Sequence, residues 1–271
     1  MAEARTELAG RVGALDHLAP ATLFSLEGKV AFVTGAAGGI ATGVTQVLAA
    51  AGARLALTDR SDQVADRAGE LLRNGVDAAS FVLDITDPNA VASVFAQAQA
   101  RFGRIDILVN NAGVIVRKPF LDVTLDDWCR VIDTDLTACF IVAQHAARIM
   151  VAQRSGRIIN IGSIMAHVSR PDLVPYVSAK GAISAFTRAL AADLAGTGVT
   201  ANALAPGYIA TSFGMASNKP FHDFVSGWTP VRRWGRPEDL SGPVLLLASE
   251  AGGYINGQTL YVDGGFLAVT K

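Results

Sequence analysis

The stretch KVAFVTGAAGGIA, residues 29–41, joins a run of apolar residues to a glycine-rich turn. The apolar run predicts a buried strand, and the residues after the turn predict a helix. We expect Gly35 to permit the tight turn and Gly39 to let backbone N–H groups approach a pyrophosphate, with Ile40 in the first turn of the helix. The positive end of that helix stabilises phosphate charge. The stretch therefore predicts a dinucleotide site, and Ala41 is small enough for close packing of helix on strand.

Strand-like runs recur along the rest of the chain and alternate with longer amphipathic stretches. They cover residues 29–34, 54–59, 79–83, 105–109, 156–162, 198–204 and 257–262. This alternation predicts βαβ units, a parallel sheet and right-handed crossovers that place helices on both of its faces. Since no repeat or linker-like shift interrupts residues 29–267, we predict one α/β domain, residues 27–271. Residues 1–26 are interpreted as an N-terminal extension, because they lack the apolar core of a signal peptide.

The composition favours a compact protein that acts on small molecules. The chain has 271 residues, of which 51% are hydrophobic and 17% charged, enough for one buried core. Its net charge of −1 argues against binding to nucleic acid or to an anionic membrane surface. No uninterrupted apolar run approaches the roughly eighteen residues that span a bilayer. Two cysteines without a disulfide pattern favour the cytoplasm, and no metal-binding cluster is expected.

A second motif, YVSAK at residues 176–180, carries groups suited to proton transfer. On a helix Tyr176 and Lys180 lie one turn apart on the same face, so the ammonium ion favours phenolate and lowers a pKa of about 10. Ser163, thirteen residues upstream, would hold a substrate oxygen. A Tyr–Lys pair at this spacing also occurs on many solvated helices, so its meaning depends on the other motifs.

Together, residues 34–41, NNAG at 110–113, Ser163, the YVSAK motif and PGYIAT at 206–211 resemble the short-chain dehydrogenase/reductase family. The resemblance covers roughly residues 26 to 267. It implies a Rossmann-like, doubly wound parallel sheet of seven strands in the order 3-2-1-4-5-6-7, with a nicotinamide cofactor across the carboxyl ends of the strands. It also implies a homotetramer. The small and apolar segment 187–194 suits either a subunit interface or packing within one chain.

The family resemblance also implies roles for residues in these segments. Tyr176 would take the alcohol proton while hydride leaves for nicotinamide, Ser163 would bind the substrate oxygen, and Lys180 would also bind the nicotinamide ribose beside Tyr176. The other implied cofactor contacts are Asp84 and Ile85 at the adenine, the backbone of Asn111, Ala112 and Gly113, and Pro206, Gly207, Ile209 and Thr211 at the nicotinamide.

Asp59 ends the second predicted strand, about twenty residues after the glycine-rich turn, where a carboxylate accepts both ribose hydroxyls. Its charge would repel a 2′-phosphate, so we predict NAD and consider NADP less favoured. Two points remain open. Arg60 would either offset the charge of a 2′-phosphate or lie over the adenine. Asp59 itself could instead be an ordinary residue at the end of a strand, without a role in cofactor binding.

Asp135 occupies a position where this family usually has asparagine. The asparagine can hold a water that passes protons from the lysine toward solvent, whereas an aspartate would favour charged Lys180 and offset part of its effect on Tyr176. We keep Asp135 as a candidate catalytic residue. The alternatives are that its carboxylate orders the same water or that it relieves a helix hydrogen bond.

Two further segments resemble the gluconate 5-dehydrogenase and 2-deoxygluconate 3-dehydrogenase branch: VIVRKPF at 114–120 and WTPVRRWGRPEDL at 228–240. The resemblance implies a sugar acid or polyol substrate. Arg117 would bind a carboxylate through its planar fork, or else carry an ordinary surface or subunit-contact charge. Where the branch often has two adjacent arginines, this chain has one, Arg117. The open alternatives are a reductase of 3-oxoacyl or other ketone substrates and a weakly active or non-catalytic dinucleotide-binding protein.

Overall fold

A computed structural model describes residues 18–211 and 215–270 of the chain. Most of the predicted N-terminal extension, residues 1–17, lies outside the described residues. The remainder contains a short helix, α1 (Pro20–Leu23), and then Leu26, which is buried in the core. The Leu26 N–H donates a hydrogen bond to the carbonyl of Ala51 at 2.8 Å. Leu26, one residue before the predicted domain boundary at residue 27, is therefore part of the core.

The centre of the fold is a sheet of seven parallel strands in the order β3-β2-β1-β4-β5-β6-β7. The strands are β1 Val30–Thr34, β2 Arg54–Asp59, β3 Ala78–Val82, β4 Ile107–Asn110, β5 Gly156–Ile161, β6 Val199–Pro206 and β7 Thr259–Val262. Each predicted strand is present within a few residues of its expected position. The predicted Rossmann-like topology is confirmed.

Helices cover both faces of the sheet. They are α2 Gly39–Ala50, α3 Val64–Arg73, α4 Pro88–Phe102, α5 Leu125–Ile132, α6 Ala138–Gln153, α7 Val174–Asp193, α8 Lys219–Trp228 and α9 Ser241–Ala248. Short 3₁₀ turns lie at Phe120–Asp122, Ile164–Ala166, Pro237–Leu240, Glu250–Gly252 and Phe266–Ala268.

Strand β1 shows why the strands of this sheet appear in the sequence as continuous runs of apolar residues. All five of its residues are buried. Ala31 and Val33 belong to the core cluster that includes α2 and α9, whereas Val30 and Phe32 belong to the cluster that includes α4 and α6. Because helices cover both faces of the sheet, the side chains on both faces are buried, and polar and apolar residues do not alternate along the strand. Full burial of a side chain such as Phe32 contributes roughly 1.5–3 kcal/mol.

Helices α5 and α6 are continuous through a π-helical segment, Asp133–Thr137. The combined helix, Leu125–Gln153, is long and apolar enough by composition to cross a membrane. However, Val131, Val142 and Met150 on it are buried in the protein core. Packing inside the protein thus accounts for these apolar residues.

Candidate active site

The carboxyl ends of the strands border a cavity of about 530 Å³. The strand order reverses between β1 and β4, which is where ligands bind in open α/β sheets. Every site residue predicted from the sequence lines this cavity. They are Gly35, Gly39, Ile40, Asp59, Arg60, Asp84, Ile85, Asn111, Ala112, Gly113, Arg117, Asp135, Ser163, Tyr176, Lys180, Pro206, Gly207, Ile209 and Thr211.

The turn after β1 is shaped for close approach of backbone to a ligand. Gly35 has φ +63°, and a Cβ there would lie 2.8 Å from Ala112 Cα. A Cβ on Gly39 would lie 2.8 Å from Thr211 Cγ2. Because glycine has no side chain, Gly38 leaves the first N–H groups of α2 without an N-cap side chain. These N–H groups border the cavity and fit a pyrophosphate.

Two polar side chains fasten the loop after β1 to the loop after β4. Thr34 Oγ1 accepts hydrogen bonds from the N–H groups of Asn111 and Ala112 at 3.0 and 3.1 Å. In return, Asn111 Nδ2 donates to the carbonyls of Thr34 and Gly35 at 3.0 and 2.9 Å. Both amide hydrogens of Asn111 are thus engaged within the protein. A contact from this loop to a cofactor would come from its backbone, as the sequence analysis expected.

Asp59 lies half-buried where β2 ends. Its Oδ2 accepts from the N–H of Ala37 in the glycine-rich turn at 3.0 Å, and its Oδ1 accepts from Ser61 N–H at 2.9 Å. Each carboxylate oxygen has a second lone pair that remains available for a ligand hydroxyl. Asp59 therefore both positions the glycine-rich turn and presents a negative charge to the cavity.

Asp84 and Arg60 lie near Asp59 at this end of the cavity. Asp84 Oδ1 accepts from Thr86 Oγ1 at 2.7 Å and from Thr86 N–H at 2.9 Å. These hydrogen bonds lower the pKa of Asp84, and the nearby charge of Arg60 acts in the same direction. The exposed Arg60 guanidinium is thus close enough to interact electrostatically with Asp84.

Ser163, Tyr176 and Lys180 converge where β5 ends. Ser163 Oγ accepts from Met165 N–H at 3.1 Å, and the Ser163 side chain acts to lower the pKa of the Tyr176 phenol through hydrogen bonding. Lys180 Nζ donates to the Ile161 carbonyl at 3.1 Å and lies 5.5 Å from the centre of the Tyr176 ring. The helical spacing of the YVSAK motif therefore brings the phenol and the ammonium ion together as predicted.

The pKa of Tyr176 differs from the value that the sequence analysis predicted. Burial raises the pKa of Tyr176, and it outweighs the lowering by the Lys180 charge, the Ser163 hydrogen bond and the Arg117 charge. Asp135 acts in the same direction as burial. The predicted direction of the Lys180 effect is confirmed, but the predicted net lowering is wrong for the protein alone. The sequence does not show how completely the phenol is desolvated.

Asp135 lies in the π-helical segment, where one extra residue widens the helix. Its Oδ1 accepts from Val114 N–H at 2.7 Å, and its Oδ2 lies 3.2 Å from Lys180 Nζ. The two side chains are buried, with 0% and 7% of their surface exposed. Burial acts to lower the pKa of Lys180, but the charges of Asp135 and Tyr176 outweigh it and raise that pKa. Asp135 thus forms a buried ion pair where an asparagine would offer only a neutral amide.

The cavity is also lined by residues to which the sequence analysis gave no role. Tyr208, Phe221 and Trp234 form an aromatic cluster, with Tyr208 5.3 Å from Phe221 and 5.5 Å from Trp234 between ring centres. Arg170 lies over the Phe221 ring at 4.0 Å. Tyr208 and Trp234 fell within segments that the sequence analysis used, PGYIAT and WTPVRRWGRPEDL, but neither was given a role there. Arg170 comes from a loop and Phe221 from α8, and the proximity of such distant residues leaves no local pattern in the sequence.

Comparison with known proteins agrees with this arrangement. The model of a family described as enoyl-(acyl carrier protein) reductase matches residues 35–267. Gluconate 5-dehydrogenase of Gluconobacter oxydans is 39% identical over 246 residues, which cover 90% of this chain and 96% of that protein. The 2-dehydro-3-deoxy-D-gluconate 5-dehydrogenase of Formosa agariphila is 36% identical over 251 residues, covering 91% and 95%.

A solved structure shows the same fold. The gluconate 5-dehydrogenase from Burkholderia cenocepacia J2315, in complex with NADP and tartrate, superposes with a TM-score of 0.89 at 38% identity. The superposition covers 92% of this chain and 99% of that one. The family match includes the glycine-rich turn, Ser163 and the Tyr176–Lys180 pair. The chain belongs to the short-chain dehydrogenase/reductase family of oxidoreductases.

Proposed function

We propose that the protein is an NAD(H)-dependent oxidoreductase that transfers hydride between nicotinamide and a secondary alcohol or ketone of a gluconate-like sugar acid or polyol. The observation that carries this proposal is the convergence of Ser163, Tyr176 and Lys180 in the same cavity as the glycine-rich turn. Acid/base groups and a dinucleotide cradle are the two parts that alcohol oxidation requires.

The proposed cofactor contacts lie along the cavity, from the adenosine half of the dinucleotide to its nicotinamide half. Backbone at Gly35 and Gly39 would hold the pyrophosphate, and Asp59 would accept from the adenosine ribose. The remaining contacts would be Arg60, Asp84 and Ile85 around the adenine, the backbone of Asn111, Ala112 and Gly113, and Ile40, Pro206, Gly207, Ile209 and Thr211 toward the nicotinamide half. When bound, the nicotinamide supplies or accepts the hydride.

In the proposed oxidation, Tyr176 takes the proton of the substrate hydroxyl, and in reduction it returns a proton to the carbonyl oxygen. Ser163 donates a hydrogen bond to the same substrate oxygen. The effect of Ser163 on the Tyr176 pKa supports a position of both hydroxyls around one substrate oxygen. Lys180 stabilises the phenolate, because its charge opposes the effect of burial on the Tyr176 pKa. Asp135 sets how strongly Lys180 can do so, since it pairs with the same ammonium ion.

NAD is the proposed cofactor because of the charge on Asp59. A 2′-phosphate about 4 Å from this carboxylate would cost about 4 kcal/mol per unit charge at an intermediate dielectric, an upper bound for a half-exposed group. The solved Burkholderia relative carries NADP, so family membership alone does not decide the cofactor. The proposal of NAD therefore depends on the position of Asp59 beside the glycine-rich turn.

A sugar acid is the proposed substrate because two lines of support agree. The two relatives named above act, by their names, on gluconate and on 2-dehydro-3-deoxy-D-gluconate. In this chain, Arg117 and Arg170 line the cavity beside Ser163 and Tyr176. Guanidinium groups bind carboxylates through paired hydrogen bonds, whereas a plain ketone requires no cation.

A substrate panel tests the proposal with the purified full chain. Gluconate, 2-deoxygluconate, 2-dehydro-3-deoxygluconate and neutral polyols would each be assayed with NAD and NADP by nicotinamide absorbance. We expect the highest kcat/KM for a sugar acid with NAD. Reduction of 3-oxoacyl thioesters without any activity on sugar acids would support the ketone-reductase alternative. Turnover of no substrate, combined with activity gained by Asp135→Asn, would support a non-catalytic protein.

We further propose a homotetramer in the cytoplasm. Phe140 on α6 is 47% exposed and contacts Phe186 on α7 at 6.4 Å between ring centres, so the outer face of these long helices offers apolar surface for a partner. Both cysteines are free thiols, which suits a reducing compartment. Light scattering that gave the mass of a monomer would contradict the assembly. Recovery of the protein outside the cytoplasm after cell fractionation would contradict the location.

A further inference from the structure

Arg170 lies in the loop between the 3₁₀ turn after Ser163 and helix α7. Its guanidinium lies over the ring of Phe221 at 4.0 Å, and its charge acts to lower the pKa of the Tyr208 phenol. It lines the same cavity as Ser163 and Tyr176. Arg170 is therefore placed at the substrate side of the site by two aromatic residues from distant parts of the chain.

The aromatic cluster around Arg170 is itself firmly held. Trp234 is buried, and its Nε1 donates to the carbonyl of His222 on α8 at 3.1 Å. Tyr208 also packs 5.2 Å from Phe266 between ring centres. Burial raises the pKa of Tyr208, so the phenol stays neutral beside the arginine. A guanidinium held in this way loses little conformational entropy when it binds a ligand.

No carboxylate in the described part of the chain forms an ion pair with Arg170. Arg233, by contrast, forms a two-pronged contact with Asp239. The Phe221 ring covers one face of the Arg170 guanidinium. The five N–H donors point outward in the plane of the group, along the edges where a carboxylate binds.

We propose that Arg170 binds the carboxylate of the substrate and selects acids over neutral polyols, an inference that rests on the proposed oxidoreductase function. Arg117 has a different setting, since its charge acts to lower the pKa of Tyr176, whereas Arg170 lies over Phe221. The acid group of the substrate extends from the reacting carbon toward Tyr208 and Phe221. The sequence analysis gave the carboxylate to Arg117, and this proposal gives it to Arg170 instead.

The test compares an acid with a neutral polyol of the same chain length, gluconate and glucitol, in wild type, Arg170→Met and Arg170→Lys. A charge-assisted, paired hydrogen bond corresponds to about a ten- to hundredfold loss of affinity when removed. We expect the KM for gluconate to rise by this factor in Arg170→Met while kcat stays within about twofold. The KM for glucitol stays unchanged, and Arg170→Lys lies between the two. Arg148→Met, on the exposed surface of α6, is the matched control.

A binding measurement separates this inference from the proposed function. Calorimetric titration of gluconate into the protein saturated with NADH would be repeated for Arg170→Met and for Tyr208→Phe, which removes the phenol hydroxyl near Arg170 but keeps the charge of the arginine. Loss of gluconate affinity in Arg170→Met, with NADH affinity unchanged, supports the inference even if no sugar acid is turned over. Turnover of gluconate with an unchanged KM in Arg170→Met, or equal losses for gluconate and glucitol, would overturn it and leave the proposed function intact.

Discussion

Two aspartates, Asp59 and Asp135, border the same cavity but are satisfied in different ways. Asp59 follows β2 and accepts two backbone N–H groups, from Ala37 and Ser61. Asp135 accepts one backbone N–H, from Val114, and pairs with Lys180. Lys180 reaches the end of β5, and β1 and β4 lie between β2 and β5 in the sheet. The two carboxylates therefore act at opposite ends of the cleft.

The two aspartates differ in which groups their negative charges act on. Within residues 18–211 and 215–270, no ion pair includes Asp59, so its charge faces whatever enters the cavity. The charge of Asp135 is compensated by a buried ammonium ion and is felt mainly by the titrating groups next to it. The same residue type thus selects a ligand at one end and sets a proton equilibrium at the other.

The largest effect is expected from removing the phenol at the catalytic end. Tyr176→Phe deletes the group that exchanges the proton and should lower kcat by about a thousandfold, within the range found for general acid–base groups. The dissociation constant for NADH should stay within about threefold, because the adenosine end is untouched. Turnover assays and fluorescence titration measure the two quantities. Tyr254→Phe, at a fully exposed tyrosine, is the matched control. Turnover within tenfold of wild type would remove Tyr176 from the mechanism.

At the other end, Asp59→Asn should change the choice of cofactor. Loss of the charge should reduce the ratio of kcat/KM for NAD to that for NADP by about a hundredfold, which allows for screening of a half-exposed carboxylate. An amide oxygen can keep only part of the contacts with Ala37 and Ser61, so the glycine-rich turn should loosen and both cofactors should bind more weakly. The ratio isolates the effect of charge from this loosening.

Asp135→Asn provides the cross-check on cofactor choice. Its NAD to NADP ratio should match that of wild type, because the Asp135 charge is paired with Lys180 and lies three strands from Asp59. An equal change of the ratio in both variants would mean that the two aspartates do not have separate roles. An unchanged ratio in Asp59→Asn would remove Asp59 from cofactor selection.

Sequence reasoning identified the fold, the glycine-rich turn and the Tyr176–Lys180 pair, because all three depend on local patterns. The seven buried strands appear as continuous apolar runs, since helices cover both faces of the sheet. The glycines at 35 and 39 are required by contacts with Ala112 and Thr211, and such requirements leave a short motif. The Tyr176–Lys180 spacing is likewise a property of a single helix.

The features that sequence reasoning missed depend on contacts between distant segments. The pKa of Tyr176 is raised because packing buries the phenol, and no pattern around YVSAK reveals that burial. The π-helical turn that carries Asp135 adds one residue to a helix without breaking its apolar pattern. Arg170 acquires its setting from Tyr208 and Phe221, which are 38 and 51 residues further along the chain.

The smallest effect, and the sharpest test of the comparison, is the pH dependence of Asp135→Asn. Tyr176 responds to Lys180, Asp135, Ser163 and Arg117, and among these only Asp135 adds negative charge that raises its pKa. The asparagine removes that charge, so the Tyr176 pKa should fall.

Alcohol oxidation needs the phenolate, which makes activity rise with pH through this pKa. The rising limb of kcat/KM should therefore move to lower pH in Asp135→Asn, and the falling limb of ketone reduction should move the same way. Asp133→Asn, at an exposed position two residues away in the same π-helical segment, should shift either limb far less. Full pH profiles in both directions provide the measurement. Equal shifts of the limb in Asp135→Asn and Asp133→Asn would mean that the buried ion pair with Lys180 has no special influence on the Tyr176 pKa. Asp59 and Asp135 would then differ only in their positions in the cleft.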